Sequence, residues 1–215
     1  RQGSYAVSPY DGAVRIQEMK QMVLALHSRG IGVIMDVVFN HTYRRDDSNL
    51  QKIEPGYYYR SDETGYTNGS GCGNEVASDR PMVQKLIVDS LIYWAKEYHI
   101  DALRVDAVAS MLYLDYGKKE GQWIANKYGE NKNLEAIEFF RHINTLITGR
   151  NHGTVMIAEE STAWPMVTGP ADKGGLNFTY KWNMGWMHDF LDYMSLDPYF
   201  RKNNHHKMTF AMSYN

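Results

Sequence analysis

The chain has 215 residues, of which 43% are hydrophobic and 13% aromatic, and a formal charge of -2 at neutral pH. That composition buries a sizeable core, so the chain reads as globular, neither disordered nor fibrous. The near-neutral charge and the lack of any Lys/Arg-rich run exclude the usual footprints of nucleic-acid and membrane-surface binding, and point to a neutral partner. The single cysteine, Cys72, rules out an internal disulfide framework and suits a reducing compartment, so the expected location is the cytoplasm. No apolar run approaches the roughly 18 residues that a membrane span needs, and Arg1-Gln2-Gly3-Ser4 does not open a signal peptide. The missing initiator methionine and the start inside structured-looking sequence fit a piece of a longer protein. Sixteen tyrosines and five tryptophans suit stacking on pyranose faces, although core packing accounts for most of them.

In chain order, Asp11 is placed to cap a helix whose apolar positions Ile16, Met19, Val23 and Leu26 recur at helical spacing up to Gly30. Gly32 to Phe39 is a short, nearly continuous apolar run, as expected of a parallel strand buried on both faces, with Asp36 as a costly residue inside it. A second helix is predicted from Pro81, capped by Ser78 or Asp79, through Val83, Leu86, Ile87, Leu91, Trp94 and Tyr98. A strand follows over Asp101 to Asp106. A third helix starts at Asn133 and carries Ile137, Phe140, Ile143 and Ile147, and Thr154 to Ala158 is the next strand. Phe178 to Trp182 reads as one more.

Alternating strands and helices mean right-handed βαβ units and a parallel sheet. The helix-to-strand connections are short, whereas the strand-to-helix connections, Thr42 to Ala77 and Ala107 to Lys132, are long. Connections beyond about 12–15 residues are uncommon unless functional. Elaboration confined to the carboxyl ends of strands is expected of a (β/α)₈ TIM barrel, here an incomplete one spanning about strands 3 to 6, with residues 1–215 forming one partial catalytic domain. A doubly wound nucleotide-binding sheet would need a glycine-rich turn directly between strand and helix. Gly69-Ser70-Gly71-Cys72-Gly73 lies deep in a long loop and lacks that spacing.

Three strand ends carry charge: Asp36 with Asn40 and His41, Arg104 with Asp106, and Glu159 with Glu160. Charged side chains are seldom buried unless paired or used. Retaining cleavage of a glycosidic bond needs one carboxylate as nucleophile and one carboxylic acid to protonate the leaving oxygen, about 5–5.5 Å apart. Arg104 and Asp106 are two positions apart on one strand, so both side chains face the same side and the guanidinium can hold the aspartate ionised. Glu159, near that carboxylate in an apolar surround, is then the proton donor. A buried structural ion pair would explain Arg104 with Asp106 alone, but not three successive strand ends. His41 is read as a sugar-hydroxyl contact.

Asp36-Val37-Val38-Phe39-Asn40-His41, Leu103-Arg104-Val105-Asp106 and Ala158-Glu159 resemble the first three signature regions of glycoside hydrolase family thirteen, the α-amylase family. The resemblance implies an α-glucan substrate and a retaining double displacement. Asp106 would be the nucleophile and Glu159 the acid and then base, while Asp36, Asn40, His41 and Arg104 hold the sugar. Parts of the family use calcium, for which Asn40 is a candidate ligand, but the sequence shows no ligand cluster, so no cofactor or metal is expected. Within the family, residues 4–98 resemble type I pullulanases, in S-P-Y-D-G-A-V-R-I (Ser8 to Ile16), E-P-G-Y-Y-Y-R (Glu54 to Arg60) and G-S-G-C-G-N-E-V-A-S (Gly69 to Ser78). Residues 101–215 resemble 1,4-α-glucan branching enzymes, in R-V-D-A-V-A-S-M-L-Y (Arg104 to Tyr113), A-E-E-S-T-A-W-P (Ala158 to Pro165) and K-W-N-M-G-W-M-H-D (Lys181 to Asp189). The likeness changes near Tyr98 to Asp101, where a join of two genes is one reading.

The expected function is branching, because that half carries both catalytic carboxylates; the alternatives are α-1,6 debranching and a non-catalytic amylase-like barrel. The family's third carboxylate follows the seventh strand, which the chain does not reach. His188-Asp189 mimics its motif but falls on an apparent helix. Expressed alone, the 215-residue piece is expected to be inactive and poorly soluble.

Overall fold

The structure is a computed structural model that describes residues 5–43, 47–63, 65–150 and 153–213. Helix α1 (Gly12–His27) starts where the Asp11 carboxylate accepts from the Ala13 and Val14 N–H groups. Its apolar stripe is only partly covered: Val23 is buried, while Ile16 and Leu24 are exposed. Strand β1 (Ile34–Val37) follows after a short turn.

The long connection to the next helix is not featureless. It contains β2 (His41–Thr42), α2 (Asn49–Ile53), β3 (Ser61–Asp62), β4 (Gly65–Tyr66) and β5 (Asn74–Glu75). β2 pairs antiparallel with β5, which returns the loop to the carboxyl end of β1, and β3 pairs with β4 as a small hairpin. The Tyr59 ring is buried beneath the loop, and its hydroxyl meets those of Thr42 and Ser48 at 2.8 and 2.7 Å. One hydroxyl thereby satisfies two polar groups that burial would otherwise strand.

Helix α3 (Pro81–Glu97) has Pro81 in its first turn, where a missing N–H costs nothing. Its cap differs from expectation: Arg80 occupies the position and makes no side-chain capping bond. Asp79 is instead paired with Arg60 at 3.0 Å, and the Ser78 carbonyl accepts from the Gln84 side chain. Val83, Ile87, Leu91 and Ala95 form its buried stripe.

Strand β6 (Ala102–Val105) is buried along its whole length, and α4 (Ala109–Leu112) follows almost at once. Helix α5 (Leu134–Arg150) starts where the Asn133 side-chain oxygen accepts from Ala136 N–H, and buries Ile137, Phe140, Ile143 and Ile147. β7 (Val155–Ala158) and the two-residue β8 (Tyr180–Lys181) complete the strands. α6 (Met184–Ser195), α7 (Pro198–Arg201) and α8 (His206–Thr209) close the described chain.

The main sheet runs in the order β1-β6-β7-β8, and its three pairings are all parallel. Leu91, Leu103, Ile143, Ile147, Met156 and Phe178 share one core between sheet and helices. Each such side chain contributes about 1.5–3 kcal/mol by leaving water. Among the described residues β1 lies at the edge of the sheet, so the expected burial on both faces is not seen: Ile34 is 60% exposed and the Asp36 side chain 63% exposed.

At the amino end of the sheet, the Asp101 carboxylate accepts from the Val33 N–H at 2.6 Å and meets His27 Nε2 at 2.8 Å. It thereby ties the end of α1 and the start of β1 to β6.

Candidate active site

The register places Asp36 beside Arg104 across β1 and β6, so both side chains lie on one face at the carboxyl end of the sheet. Arg104, only 8% exposed, is the hub. Its Nη1 lies 2.6 Å from Asp36 Oδ1 and 3.0 Å from Asp106 Oδ1, and its Nη2 lies 2.9 Å from Glu159 Oε2. Burial works against its charge, but the hydrogen bond it donates to Asp36 and the negative charges of Glu159, Asp36 and Asp106 outweigh that and raise its pKa above the ordinary arginine value. The cation is permanent. The Trp182 ring, just after β8, covers the guanidinium with its centroid 4.2 Å from Cζ, a cation–π contact that also keeps water from the fork.

Backbone geometry aims the two carboxylates. Asp106 N–H bonds to Val37 O and Glu159 N–H to Val105 O, which carries the parallel ladder one residue past each strand. Directly after Asp106, Ala107 adopts a left-handed φ of 43°, and its N–H donates to Glu159 Oε2 at 2.8 Å. An alanine held there stores strain that the surrounding bonds sustain. Asn40 is buried and donates through Nδ2 to the Asp106 carbonyl at 3.0 Å and to its Oδ2 at 3.3 Å. Its Oδ1 faces His41 Nδ1.

Asp36, Asn40, His41, Arg104, Asp106 and Glu159 are thus gathered into one connected cluster. The surroundings of Glu159 differ from expectation: it faces the guanidinium and a peptide N–H, not an apolar wall. Both of those donors engage Oε2, and Oε1 lies outside both contacts.

Two participants escaped the sequence reading, and a third, Glu160, was named at its strand end without a role. Trp182 was placed in a strand but not at the site. The Ala107 N–H has no residue-type signature at all. Glu160 is fully buried; its Oε1 accepts from Thr162 N–H at 2.8 Å, and its Oε2 lies 3.4 Å from Lys181 Nζ. A cleft of about 730 Å³ opens beside the cluster, lined in part by Glu160, Thr162, Trp164, Lys181 and Trp182. His188 and Asp189 belong to α6, where Trp186 stacks on Phe190 at 5.0 Å. Among the described residues, no group of three or more His, Cys, Asp or Glu side chains is arranged to hold a metal ion, and no helix is long and apolar enough to cross a membrane.

Sheet and cluster together define an α/β protein with an arginine-bridged carboxylate site at the carboxyl ends of parallel strands. No family model matches the chain. Among curated proteins it is 51% identical over 195 residues to a 1,4-α-glucan branching enzyme of Butyrivibrio fibrisolvens, covering 90% of this chain and 30% of that protein. It is 43% identical over 214 residues to a branching enzyme of Clostridium perfringens, covering 99% of this chain and 31% of that one. Among solved structures, the pullulanase of Paenibacillus barengoltzii in complex with maltohexaose and α-cyclodextrin superposes with a TM-score of 0.63 at 30% identity, over 86% of this chain and 26% of that one. Type I pullulanase of Bacillus subtilis, in complex with maltose, superposes with a TM-score of 0.57 at 35% identity, over 76% of this chain and 20% of that one.

The chain belongs to the α-amylase family. It spans about a third of the length of the curated relatives it matches. Similarity to a branching enzyme over 99% of the chain runs through Tyr98 to Asp101, so both sides of that point lie within one continuous match.

Proposed function

We propose that this chain forms part of the catalytic face of a 1,4-α-glucan branching enzyme, with an α-glucan as substrate and no nucleic-acid or membrane partner. The observation that carries this reading is Arg104 bridging Asp106 and Glu159, in a chain with branching-enzyme similarity along nearly all its length. The four parallel strands are read as strands 3 to 6 of a (β/α)₈ barrel, whose sites form at the carboxyl ends of the strands. The 215 residues are read as one partial catalytic domain. The exposed free thiol of Cys72 suits a reducing compartment, and the cytoplasm is the proposed location.

In the chemistry this supports, the Asp106 carboxylate attacks the anomeric carbon of an α-1,4-linked donor. The bond to the departing O4 breaks as Glu159 protonates that oxygen, which leaves a glycosyl ester on Asp106. Glu159, now a carboxylate, takes the proton from the 6-hydroxyl of an acceptor glucan, and that oxygen displaces Asp106. One α-1,4 bond is exchanged for one α-1,6 bond with no new reducing end. Arg104 and Asn40 aim the Asp106 carboxylate, and Asp36 and His41 are read as contacts to the sugar.

A second reading, α-1,6 debranching hydrolysis, is favoured by the pullulanase superpositions and by the motifs of residues 4–98. Incubating the full-length protein with amylose and with pullulan separates the two. New α-1,6 linkages without new reducing sugar are expected; maltotriose release from pullulan would establish debranching instead.

A further inference from the structure

The glycine run Gly69-Ser70-Gly71-Cys72-Gly73 has no part in the chemistry above, yet it lies where the two long active-site loops meet. One loop leaves β1 through Asn40 and His41, and the other leaves β6 through Asp106 itself, so the two flank the nucleophile. At one end of the run, Gly73 lies against the backbone of Thr42, the residue after His41, so close that an added Cβ would stand 2.9 Å from the Thr42 carbonyl carbon. At the other end, Gly69 packs backbone to backbone against Tyr116 and Gly117 of the second loop. A Cβ on Gly117, whose φ is 67°, would stand 2.9 Å from Gly69 Cα and closer still to its carbonyl. A side chain at Gly69 or Gly117 would move one loop away from the other, and one at Gly73 would displace Thr42 within the first loop.

Glu75 fastens this contact. Its Oε1 accepts from Gly69 N–H at 2.8 Å, and its Oε2 accepts from the Thr67 hydroxyl. Its own backbone lies opposite His41 in the β2–β5 pair. The carboxylate also occupies the Gly69 N–H, which a bound phosphate would need. Asn68 closes the other side of the run by accepting from Gly73 N–H at 3.0 Å.

We infer that the Gly69–Gly117 contact, with Glu75 as its clasp, is a specificity-determining device. It locks the loop after β1 and the loop after β6 into a single rim beside Asp106 and so fixes the opening through which an acceptor glucan chain enters. Gly69, Gly117 and Glu75 are positioning residues and touch no reacting atom. The inference rests on the branching reading above. An acceptor is a second long chain that must enter while the glycosyl ester waits, so rim geometry acts on transfer more than on attack by water, which passes any opening.

The test compares Gly117→Ala, Gly69→Ala, Glu75→Ala and Glu75→Gln in the full-length protein. On amylose, the α-1,6 linkages formed are measured against the reducing ends released, alongside thermal unfolding. Expected are a fall of about tenfold in the transfer-to-hydrolysis ratio for both glycine variants and for Glu75→Ala, and recovery towards wild type in Glu75→Gln, which still accepts from Gly69 N–H. An unchanged ratio in folded Gly69→Ala and Glu75→Ala overturns the inference, even if Gly117→Ala fails to fold. So does a fall in transfer and hydrolysis by the same factor, which marks a merely structural role. If the wild-type protein forms no α-1,6 linkage, the branching reading fails first, and that outcome is distinct from both.

Discussion

Strand β6 has an aspartate at each end, and the two are treated in opposite ways. Asp101, at the amino end, is half-exposed and satisfied by groups that stay in place, the Val33 N–H and the His27 ring. Asp106, at the carboxyl end, is held by Arg104 and Asn40 and keeps 27% of its side chain exposed. Each carboxylate has two partners, so what differs is their kind. At Asp101 they are a peptide N–H and an imidazole, both on Oδ2. At Asp106 they are a guanidinium shared with two other carboxylates, on Oδ1, and an amide, on Oδ2.

The comparison breaks most visibly at Asp106. Asp106→Asn keeps the size and the Asn40 contact but removes the attacking charge, so turnover of the full-length protein should fall about 10⁴-fold with little change in thermal unfolding. Activity within tenfold of wild type would remove Asp106 from the nucleophile's role. Next comes the hub. Arg104→Met leaves three carboxylates facing one another without their shared cation, and urea unfolding should show a loss of about 3 kcal/mol. The exposure of Asp36 and Glu159 keeps the figure towards the low end of the range for broken buried pairs. A loss below about 1 kcal/mol would mean that solvent, not Arg104, balances the carboxylates.

The smallest effect belongs to the other end of β6. Burial pushes the Asp101 carboxyl up, but the Val33 N–H and the bond and charge of His27 together outweigh it, so its pKa lies below the ordinary carboxylate value. A group whose pKa is depressed on folding contributes stability above its unfolded value of about 3.9 and loses it as the pH falls through the lower folded value. With the side chain 46% exposed, solvent screening limits the contribution to about 0.5–1 kcal/mol. Measured from about pH 5 downward, the stability gap between wild type and Asp101→Asn should narrow and close below about pH 4. A gap that widens on acidification would reverse the assigned direction.

How legible these features were in sequence followed their range. Arg104, Asp106 and Glu159 stood out because a charge after an apolar run is costly anywhere, and period-2 alternation alone put Arg104 and Asp106 on one face. The helices built on Val23, Leu91 and Ile143 were legible for the same local reason. Burial of β1 was not, because whether a strand is central or at an edge depends on neighbours distant in sequence. Nor was the Arg80 cap, since Asp79 was drawn to Arg60 in a different loop. Trp182 over Arg104 and the turned Ala107 N–H arise only when β6, β7 and β8 are assembled, and no residue type announces either.

Three carboxylates around one guanidinium leave the cluster with a formal excess of negative charge beside the Trp182 ring, even with one of the three protonated. Such a pocket sorts what approaches by sign. On the proposed reading, an uncharged sugar would find acceptors for its hydroxyls here, whereas a phosphorylated or carboxylated one would meet a net repulsion that water screens where Asp36 is open. The arginine that joins three strands would thus also set how far their negative charge is felt.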